Sequence, residues 1–247
     1  STNSSLDPLV FSSAVTNLQP EVPVKVSVTG LNSGVRYFYR VLDGFENSAF
    51  GTFKTAPAPQ ASVGLRFGVS GDSRGELAPY PSIGNVASRR LDFFVNLGDT
   101  IYADVPSPAV TNDQVRTLEQ FRRKHAEVLG NQRGVPSMAD LRASTALFTT
   151  IDDHEVINDF AGGAAVSSDS RFDTTGKLIN ETQLYRDGLK AFSEFNPLKD
   201  VTYQTPGVAR TDGKPKLYRA ARYGLDASLF LLDARSFRDA ELTAPED

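Results

Sequence analysis

Residues 1–57 show the alternation of apolar and polar side chains that is typical of short β-strands. The segment "VPVKVSVTG", residues 22–30, alternates with a period of two, and "GVRYFYRVLDG" and "SAFGTFKTAPAPQ" follow it. Glycine and asparagine lie between these segments, where they favour turns. Residues 1–20 show no such period and are interpreted as an irregular lead-in. The pattern therefore predicts a small all-β unit at the start of the chain.

The tyrosine spacing in "LNSGVRYFYRV" resembles the tyrosine corner of fibronectin type III domains and related β-sandwiches. In that arrangement, the hydroxyl of Tyr37 or of Tyr39 bonds to the backbone near the preceding turn. We therefore interpret residues 1–57 as a partial β-sandwich module, fibronectin-III-like, that contains only the last strands of such a domain. The proline-rich stretch "TAPAPQAS" after it is typical of a semi-rigid linker or a domain boundary.

From residue 58 to residue 247, apolar β-branched runs alternate with helical periods, which predicts α/β layering around a largely buried sheet. The predicted strands are "LRFGVSGD", "DFFVNLGD", "TALFTTIDD" and "SLFLLDAR". The longer segment "KPKLYRAARYGLDASLFLLD" predicts a hairpin that leads into the last strand. The predicted helices cover Ser82–Arg90, Asp113–Leu129, Met138–Ala143 and Ile179–Phe195. Pro197 cannot continue the last of these helices.

Each predicted strand of this second region ends in aspartate. These residues are Asp72, Asp99, Asp152 with Asp153, and Asp233. If the strands are parallel neighbours, their carboxyl ends share one edge of the sheet, where open α/β folds bind ligands. Crowded carboxylates stay ionised together only when a cation balances them, and hard oxygen ligands favour Ca²⁺, Mg²⁺, Mn²⁺ or Fe³⁺. The pattern indicates a metal site, although a single aspartate after a strand is more often a turn residue.

Two local motifs add candidate side chains to this edge. In "SGDSRG", glycines on both sides of Asp72 would let the backbone approach an ion or a phosphate, and Arg74 could hold an anionic oxygen. In "GDTIYAD", Tyr102 follows Asp99 by three positions, so one loop could direct both side chains inward. The alternative reading of both motifs is a tight turn with a surface arginine and a packing tyrosine.

The chain contains two histidines and no cysteine. A disulfide framework, a cysteine-ligated zinc and a thiol nucleophile are therefore excluded, and metal binding would depend mainly on oxygen ligands. His154 lies between Asp153 and Glu155 at a strand exit, which favours a metal or acid–base role. His125, in "RRKHAEVL", is interpreted as an ordinary helix residue.

The size and charge of the chain exclude some other classes. Its 247 residues suffice for one large domain, or for one domain and a small module. The net charge of −4 does not indicate a non-specific grip on nucleic acid or on anionic lipid, which needs a clustered basic surface. No segment approaches the ~18 consecutive apolar residues of a membrane span.

Taken together, "GDSRG", "NLGDTIYAD", "IDDHEVINDF" and "YGLDASLFLLDARSFRD" resemble the metallophosphoesterase superfamily, and within it the PhoD-like alkaline phosphatases/phosphodiesterases. The resemblance covers Leu65–Asp239 and implies an α/β (α+β layered) metallophosphatase-like sheet sandwich, with a preceding β-module that the family also carries. Residues 58–247 would form the N-terminal part of the catalytic domain. The implied activity is hydrolysis of phosphate monoesters or diesters by a metal-activated hydroxide, with two ions ~3.5–4 Å apart.

The resemblance also implies a role for each matching residue. The implied metal ligands are Asp72, Asp99, Tyr102, Asp153 and Asp233, and the implied catalytic residues are Arg74, His154 and Arg235. Asp99 would bridge two ions, and Tyr102, as a phenolate, would bind Fe³⁺. The second ion would be Ca²⁺ or another divalent cation. His154 would orient or protonate the leaving oxygen, with Asn158 and Asp159 in support.

The chain departs from the family pattern in two respects. Its first motif lacks the usual cysteine, and no histidine follows His154, where the superfamily has a later "G-x-H-x-H"-like segment. We therefore expect a fragment that is inactive alone and whose partner is the C-terminal half of the same polypeptide. By resemblance, the protein would act outside the cytoplasmic membrane, in the periplasm or as a secreted enzyme.

Three other interpretations stay open at this point. The chain could belong to a purple-acid-phosphatase-like enzyme, because "GD-x-x-Y" is shared with that branch. It could be a non-catalytic surface module in which the acids hold structural Ca²⁺ and the β-module mediates adhesion. It could also be a plain α/β domain whose strand-end acids only form turns.

Overall fold

The structure is a computed structural model that describes residues 1–17, 19–130 and 137–242. The strands are β1 (Arg36–Leu42), β2 (Ser48–Lys54), β3 (Phe67–Ser70), β4 (Phe93–Asn96), β5 (Leu147–Thr149), β6 (Arg219–Tyr223) and β7 (Ala227–Leu231). The α-helices are α1 (Val86–Arg89), α2 (Leu118–Leu129), α3 (Met138–Ser144) and α4 (Gln183–Phe195). Short 3₁₀ turns cover Gly75–Leu77, Pro81–Ile83, Val166–Ser168 and Ile179–Glu181.

The N-terminal region forms an antiparallel hairpin of β1 and β2, in which Tyr37 lies opposite Phe53. The hydroxyl of Tyr37 accepts a hydrogen bond from the backbone N–H of Asn32 at 2.9 Å. The predicted tyrosine corner is therefore present, and Tyr37 rather than Tyr39 makes its bond. Tyr37 is buried by the hairpin, and its ring stacks on Phe53 with centroids 5.9 Å apart.

The strand predicted for "VPVKVSVTG" is wrong, because residues 22–30 form no strand in the structure. A strand needs a neighbour to satisfy its backbone N–H and C=O groups, and no described residue forms a ladder with this segment. Lys25 instead donates hydrogen bonds from Nζ to the carbonyl oxygens of Ser193 and Leu198, near the end of α4. The described part of the module is thus a hairpin, not a closed sandwich.

A parallel sheet in the order β3–β4–β5 forms the centre of the second region. Phe93 pairs with Phe67, and Val95 pairs with Val69 on one side and Phe148 on the other. Every residue of β4 is buried, because helices cover one face of the sheet and the β6–β7 hairpin packs on the other. The mixed α/β layering predicted from the sequence is confirmed.

The expectation that the fourth strand shares this sheet is wrong. The segment Ala227–Leu231 pairs antiparallel with Arg219–Tyr223, so the hairpin predicted from the sequence forms a separate sheet. The turn contains Gly224 at φ +67, a conformation that glycine adopts without steric cost. The hairpin packs face to face on the parallel sheet, with the ring centroids of Phe93 and Tyr223 4.7 Å apart.

Side-chain caps fix where the two longest helices begin. The second helix starts at Leu118 rather than at Asp113, because Thr117 and Gln120 form a capping box. The fourth starts at Gln183, since the hydroxyl of Thr182 accepts from the backbone N–H of Tyr185. The helix predicted over residues 82–90 is shorter and broken, whereas the helix predicted from residue 138 is confirmed. Among the described residues, no helix is both long and apolar enough to cross a bilayer.

The main hydrophobic core lies between the parallel sheet and helices α2 and α4. Its fully buried side chains include Phe121, Phe160 and Phe192. His125 of α2 is buried in the same layer, and its ring stacks on Phe195 with centroids 5.3 Å apart. Burial, together with the positive charge of Arg142, lowers the pKa of His125 to about 3.

We expect acid to destabilise the fold through His125. Below pH 6.5, the ordinary pKa of histidine, His125 takes up a proton in the unfolded chain. In the folded chain the pKa of His125 is about 3, so the side chain stays neutral over the same range. Stability is therefore lost as the pH falls below 6.5, by roughly 2 kcal/mol at pH 5. Urea unfolding of the parent and of His125→Phe, which keeps a stacked ring, at pH 5 and pH 7 measures this loss. The variant should lose less stability on acidification, and equal losses would contradict the prediction.

Candidate metal centre

Asp99, Asp153 and His154 meet at the carboxyl edge of the parallel sheet. Each of them offers a ligand atom, and the three atoms lie within 4.8 Å of one another. Asp99 follows β4, and Asp153 and His154 follow β5, which is the hydrogen-bonded neighbour of β4. Both aspartates are buried, with 7% and 4% of their surface exposed. The convergence predicted for these strand exits is therefore present in the fold.

The backbone after β4 takes an unusual path that brings Asp99 to this point. Gly98 has φ +111, and a Cβ at that position would lie 2.2 Å from the backbone nitrogen of Asp152. Only glycine permits this approach. Asp99 itself lies in the left-handed region with φ +49, a conformation that aspartate tolerates better than most residues. The tight turn places the Asp99 loop directly against the loop that follows β5.

Tyr102 connects Asp72 to the group. Its hydroxyl lies 2.9 Å from Oδ1 of Asp72 and 3.4 Å from Oδ2 of Asp99, and it donates to both. Asp72 has φ +60, and its backbone N–H donates to the carbonyl oxygen of Gly98 at 3.3 Å, so the exits of β3 and β4 are adjacent. The Tyr102 ring stacks on His154 with centroids 4.0 Å apart. The structure thus brings five predicted site residues together.

The carboxylates of this cluster are held in an unfavourable electrostatic environment. Burial, together with the charges of Asp153 and Asp152 and against the opposing charge of His154, raises the pKa of Asp99 from 3.8 to about 6. Burial also raises the pKa of Tyr102, and the neighbouring Asp72 and Asp99 add to that shift. Buried negative charges that repel one another are stabilised by a bound cation. The donor set, all oxygen apart from one imidazole, fits a hard metal ion.

His154 is fixed in place by Asp104, which the sequence interpretation did not include in the site. Nδ1 of His154 lies 2.6 Å from Oδ1 of Asp104, whose Oδ2 accepts from the backbone N–H of Asn158 at 2.9 Å. Burial acts to lower the pKa of His154, but the hydrogen bond and charge of Asp104 outweigh it and raise the pKa. Burial likewise acts to raise the pKa of Asp104, and its hydrogen bonds outweigh that effect.

Arg235 contacts three carboxylates of the loops around the cluster. Its Nε donates to Oδ1 of Asp152 at 2.6 Å. Its two terminal nitrogens lie 3.5 Å from Oδ2 of Asp153 and 3.6 Å from Oδ1 of Asp159. The backbone N–H of Asp159 also donates to Oδ2 of Asp153. In the structure, Arg235 therefore neutralises this acidic loop.

Arg74 and Asp233 lie at the margins of the arrangement. Nε of Arg74 donates to Oε1 of Glu76 at 2.6 Å, and its guanidinium carbon lies 5.7 Å from the centroid of the Tyr102 ring. Asp233 is not part of the group of converging ligand atoms among the described residues. Its Oδ1 accepts from the backbone N–H groups of Arg235 and Ser236, so it caps its own turn after β7. Its strand belongs to the hairpin and not to the parallel sheet.

Glu155 is a further residue of the site that the sequence interpretation did not single out. It is fully buried, and burial raises its pKa to about 7. Its Oε1 accepts from the backbone N–H and the hydroxyl of Thr100, and its Oε2 accepts from the backbone N–H of Asp152. The only sequence signal was its place at the end of "DDHE". Asp104 gave a comparable signal at the end of "GDTIYAD".

Comparisons with known proteins agree with these motifs. The sequence model of the family described as PhoD-like phosphatase matches residues 68–246. Alkaline phosphatase D of Bacillus subtilis (strain 168) is 30% identical over an alignment of 232 residues, which covers 87% of this chain and 36% of that protein. A solved structure of PhoD gives a TM-score of 0.63 at 29% identity, over 85% of this chain and 39% of the other. The chain thus spans little more than a third of these two relatives.

A purple acid phosphatase was also found among the solved structures. It is PPD1 from yellow lupin (Lupinus luteus) seeds, with a TM-score of 0.40 at 16% identity, over 79% of this chain and 30% of the other.

Proposed function

Because this chain belongs to the PhoD-like phosphatase family, we propose that it serves the metal-dependent hydrolysis of phosphate monoesters or diesters. The observation that carries the proposal is the convergence of Asp99, Asp153 and His154, whose ligand atoms lie within 4.8 Å of one another. The two carboxylates are buried at the carboxyl edge of a parallel sheet, which is where α/β enzymes bind ligands. A buried acidic group of this kind supports metal-assisted hydrolysis.

We propose that Asp72, Asp99 and Tyr102 hold one metal ion and that Asp99 and Asp153 hold a second. A phenolic oxygen suits Fe³⁺ at the first position, and carboxylates suit Ca²⁺ or another divalent ion at the second. Bound ions would neutralise these acids and supply Lewis acidity at the phosphoryl group. Asp233 is included among the proposed ligands only because the family resemblance implies it.

A histidine of this chain would donate the proton that the leaving oxygen needs, and its arginines would balance negative charge at the site. Nδ1 of His154 is occupied by Asp104, so Nε2 is the nitrogen that would donate a proton to the leaving oxygen. The charge of Asp104 stabilises the protonated imidazole. Arg74 would contact a phosphoryl oxygen from its position beside Tyr102. Arg235 would act through the acids that it neutralises.

We further propose that the chain works as part of a longer polypeptide, whose C-terminal half completes the sheet sandwich and the metal site. Phe67 and Val69 lie on the same face of the sheet as Phe93 and Val95, yet they are 51% and 49% exposed. Exposed apolar side chains on a sheet face support such a cover. The hairpin with its Tyr37 corner would be part of a fibronectin-III-like module. By family resemblance, the enzyme would act outside the cytoplasmic membrane.

Metal removal tests the proposal directly. We expect the full-length protein to contain iron and a divalent ion by elemental analysis, and to hydrolyse bis(p-nitrophenyl) phosphate or p-nitrophenyl phosphate. A chelator should abolish turnover, and adding the ions back should restore it, because the cations neutralise the buried acids. Tyr102→Phe should remove a visible tyrosinate-to-iron absorption band.

The controls separate the competing interpretations. Turnover that persists in metal-free protein would contradict the proposal. Metal-loaded protein without turnover on either ester would favour the calcium-binding surface module. Absence of iron together with full turnover would reject the iron assignment but not hydrolysis.

A further inference from the structure

Glu155 lies between the two loops that carry Asp99 and Asp153. Its Oε1 accepts hydrogen bonds from the backbone N–H and from the hydroxyl of Thr100, both at 2.6 Å. Its Oε2 accepts from the backbone N–H of Asp152 at 3.0 Å. Each donor belongs to a residue next to a proposed ligand, since Thr100 follows Asp99 and Asp152 precedes Asp153. One buried carboxylate therefore joins both ligand loops.

The Asp99 loop needs such a restraint. Asp99 adopts φ +49, a left-handed conformation that is unfavourable for a residue other than glycine. The bonds from Thr100 hold the backbone immediately after this strained residue. The carboxylates of Asp99 and Asp153 also repel each other, so without a restraint or a cation they would move apart.

We propose that Glu155 and Thr100 form a clamp that sets the separation of the Asp99 and Asp153 carboxylates and thereby the metal affinity of the site. This inference rests on the proposed function. Glu155 and Thr100 are positioning residues, because their polar atoms bond to each other and to Asp152 rather than to the ligand oxygens. Groups that orient ligands in this way typically contribute about 10–100-fold to metal affinity.

The experiment measures Mn²⁺ binding by titration calorimetry, and urea unfolding in the presence of chelator, on the full-length protein and its variants. Thr100→Val removes the hydroxyl donor at constant shape, Thr100→Ser restores it, and Glu155→Gln replaces the carboxylate. We expect Thr100→Val and Glu155→Gln to weaken Mn²⁺ binding about 10–100-fold and Thr100→Ser to stay within roughly twofold of the parent. The matched control is Thr182→Val, which removes the buried hydroxyl that caps α4 and should lower stability alone.

The outcomes separate the clamp from the proposed function. If Thr100→Val and Glu155→Gln lose stability but bind Mn²⁺ as tightly as the parent, the two residues are merely structural and the clamp is overturned, while the metal centre stands. If the full-length parent protein binds no Mn²⁺, the metal centre itself fails and the clamp with it. Should Glu155→Gln fail to fold, the comparison of Thr100→Val with Thr100→Ser decides alone.

Discussion

Asp99→Asn is expected to abolish metal binding and phosphate-ester hydrolysis while leaving the metal-free fold as stable as before, or more stable. Asp99 is the carboxylate proposed for both metal positions, so its loss should exceed the roughly 10–100-fold drop in affinity that follows loss of a supporting group. Turnover should fall by at least about 10²–10³-fold. Elemental analysis and turnover of bis(p-nitrophenyl) phosphate by the full-length protein measure both effects.

The gain in stability follows from the raised pKa of Asp99, which is about 6 in the folded chain against 3.8 ordinarily. The folded state holds a proton more tightly than the unfolded state, so the metal-free fold loses stability as the pH rises from about 4 to 6. Asparagine removes this loss, which amounts to about 1–3 kcal/mol at neutral pH. Urea unfolding with chelator at pH 7.5 measures it.

Asp113→Asn is the matched control, because Asp113 is exposed and lies ahead of α2 rather than in the site. It should change neither metal content nor stability. Full metal content in Asp99→Asn would reject the metal centre and would favour the reading in which strand-end acids only form turns.

His154→Gln is expected to lower the turnover number by about 10²–10⁴-fold, the range that general acid catalysis contributes. We expect the metal content to stay unchanged, because the proposed role of His154 is proton transfer to the leaving oxygen. Asp104→Asn should give a smaller loss, since it removes the charge that raises the pKa of His154 but leaves the ring in place. Turnover and elemental analysis of both variants in the full-length protein test this assignment.

A different outcome would reassign His154. Its ligand atom lies within 4.8 Å of those of Asp99 and Asp153, which also allows a role as a metal ligand. Loss of metal in proportion to the loss of turnover would establish that role and reject the acid. A substrate with a better leaving group should recover activity in His154→Gln only if the residue donates a proton.

Much of the candidate site could be predicted, because its residues follow strands that run parallel to one another in the same sheet. Parallel strands that are neighbours must end at the same edge, so Asp72, Asp99 and Asp153 could be placed near one another from the apolar runs before them. The family resemblance drawn from these motifs is confirmed by the match over residues 68–246. The tyrosine corner could be predicted for a different reason, because Asn32 and Tyr37 are only five positions apart in the sequence.

Other features depended on partners that local patterns do not reveal. Alternation over residues 22–30 predicts a strand, but no described segment pairs with it. The β6–β7 hairpin was predicted, but its local pattern did not reveal that β7 stays outside the parallel sheet, where Asp233 caps its own turn. The resemblance implied a catalytic role for Arg235, and only the fold reveals that its guanidinium contacts Asp152, with two further acids around it.

By itself, the sequence determined the layered α/β class, the family, and the acids and histidine at the exits of β3, β4 and β5. These features depend on residue types and on spacing along the chain, and both are the same in the unfolded chain as in the folded one. Only the tertiary structure decided that Asp104 holds His154 and that Glu155 joins the loops of Asp99 and Asp153. The bonds from His154 to Asp104 and from Thr100 to Glu155 connect residues 50 and 55 positions apart, and these partners become neighbours only when the sheet brings the loops together.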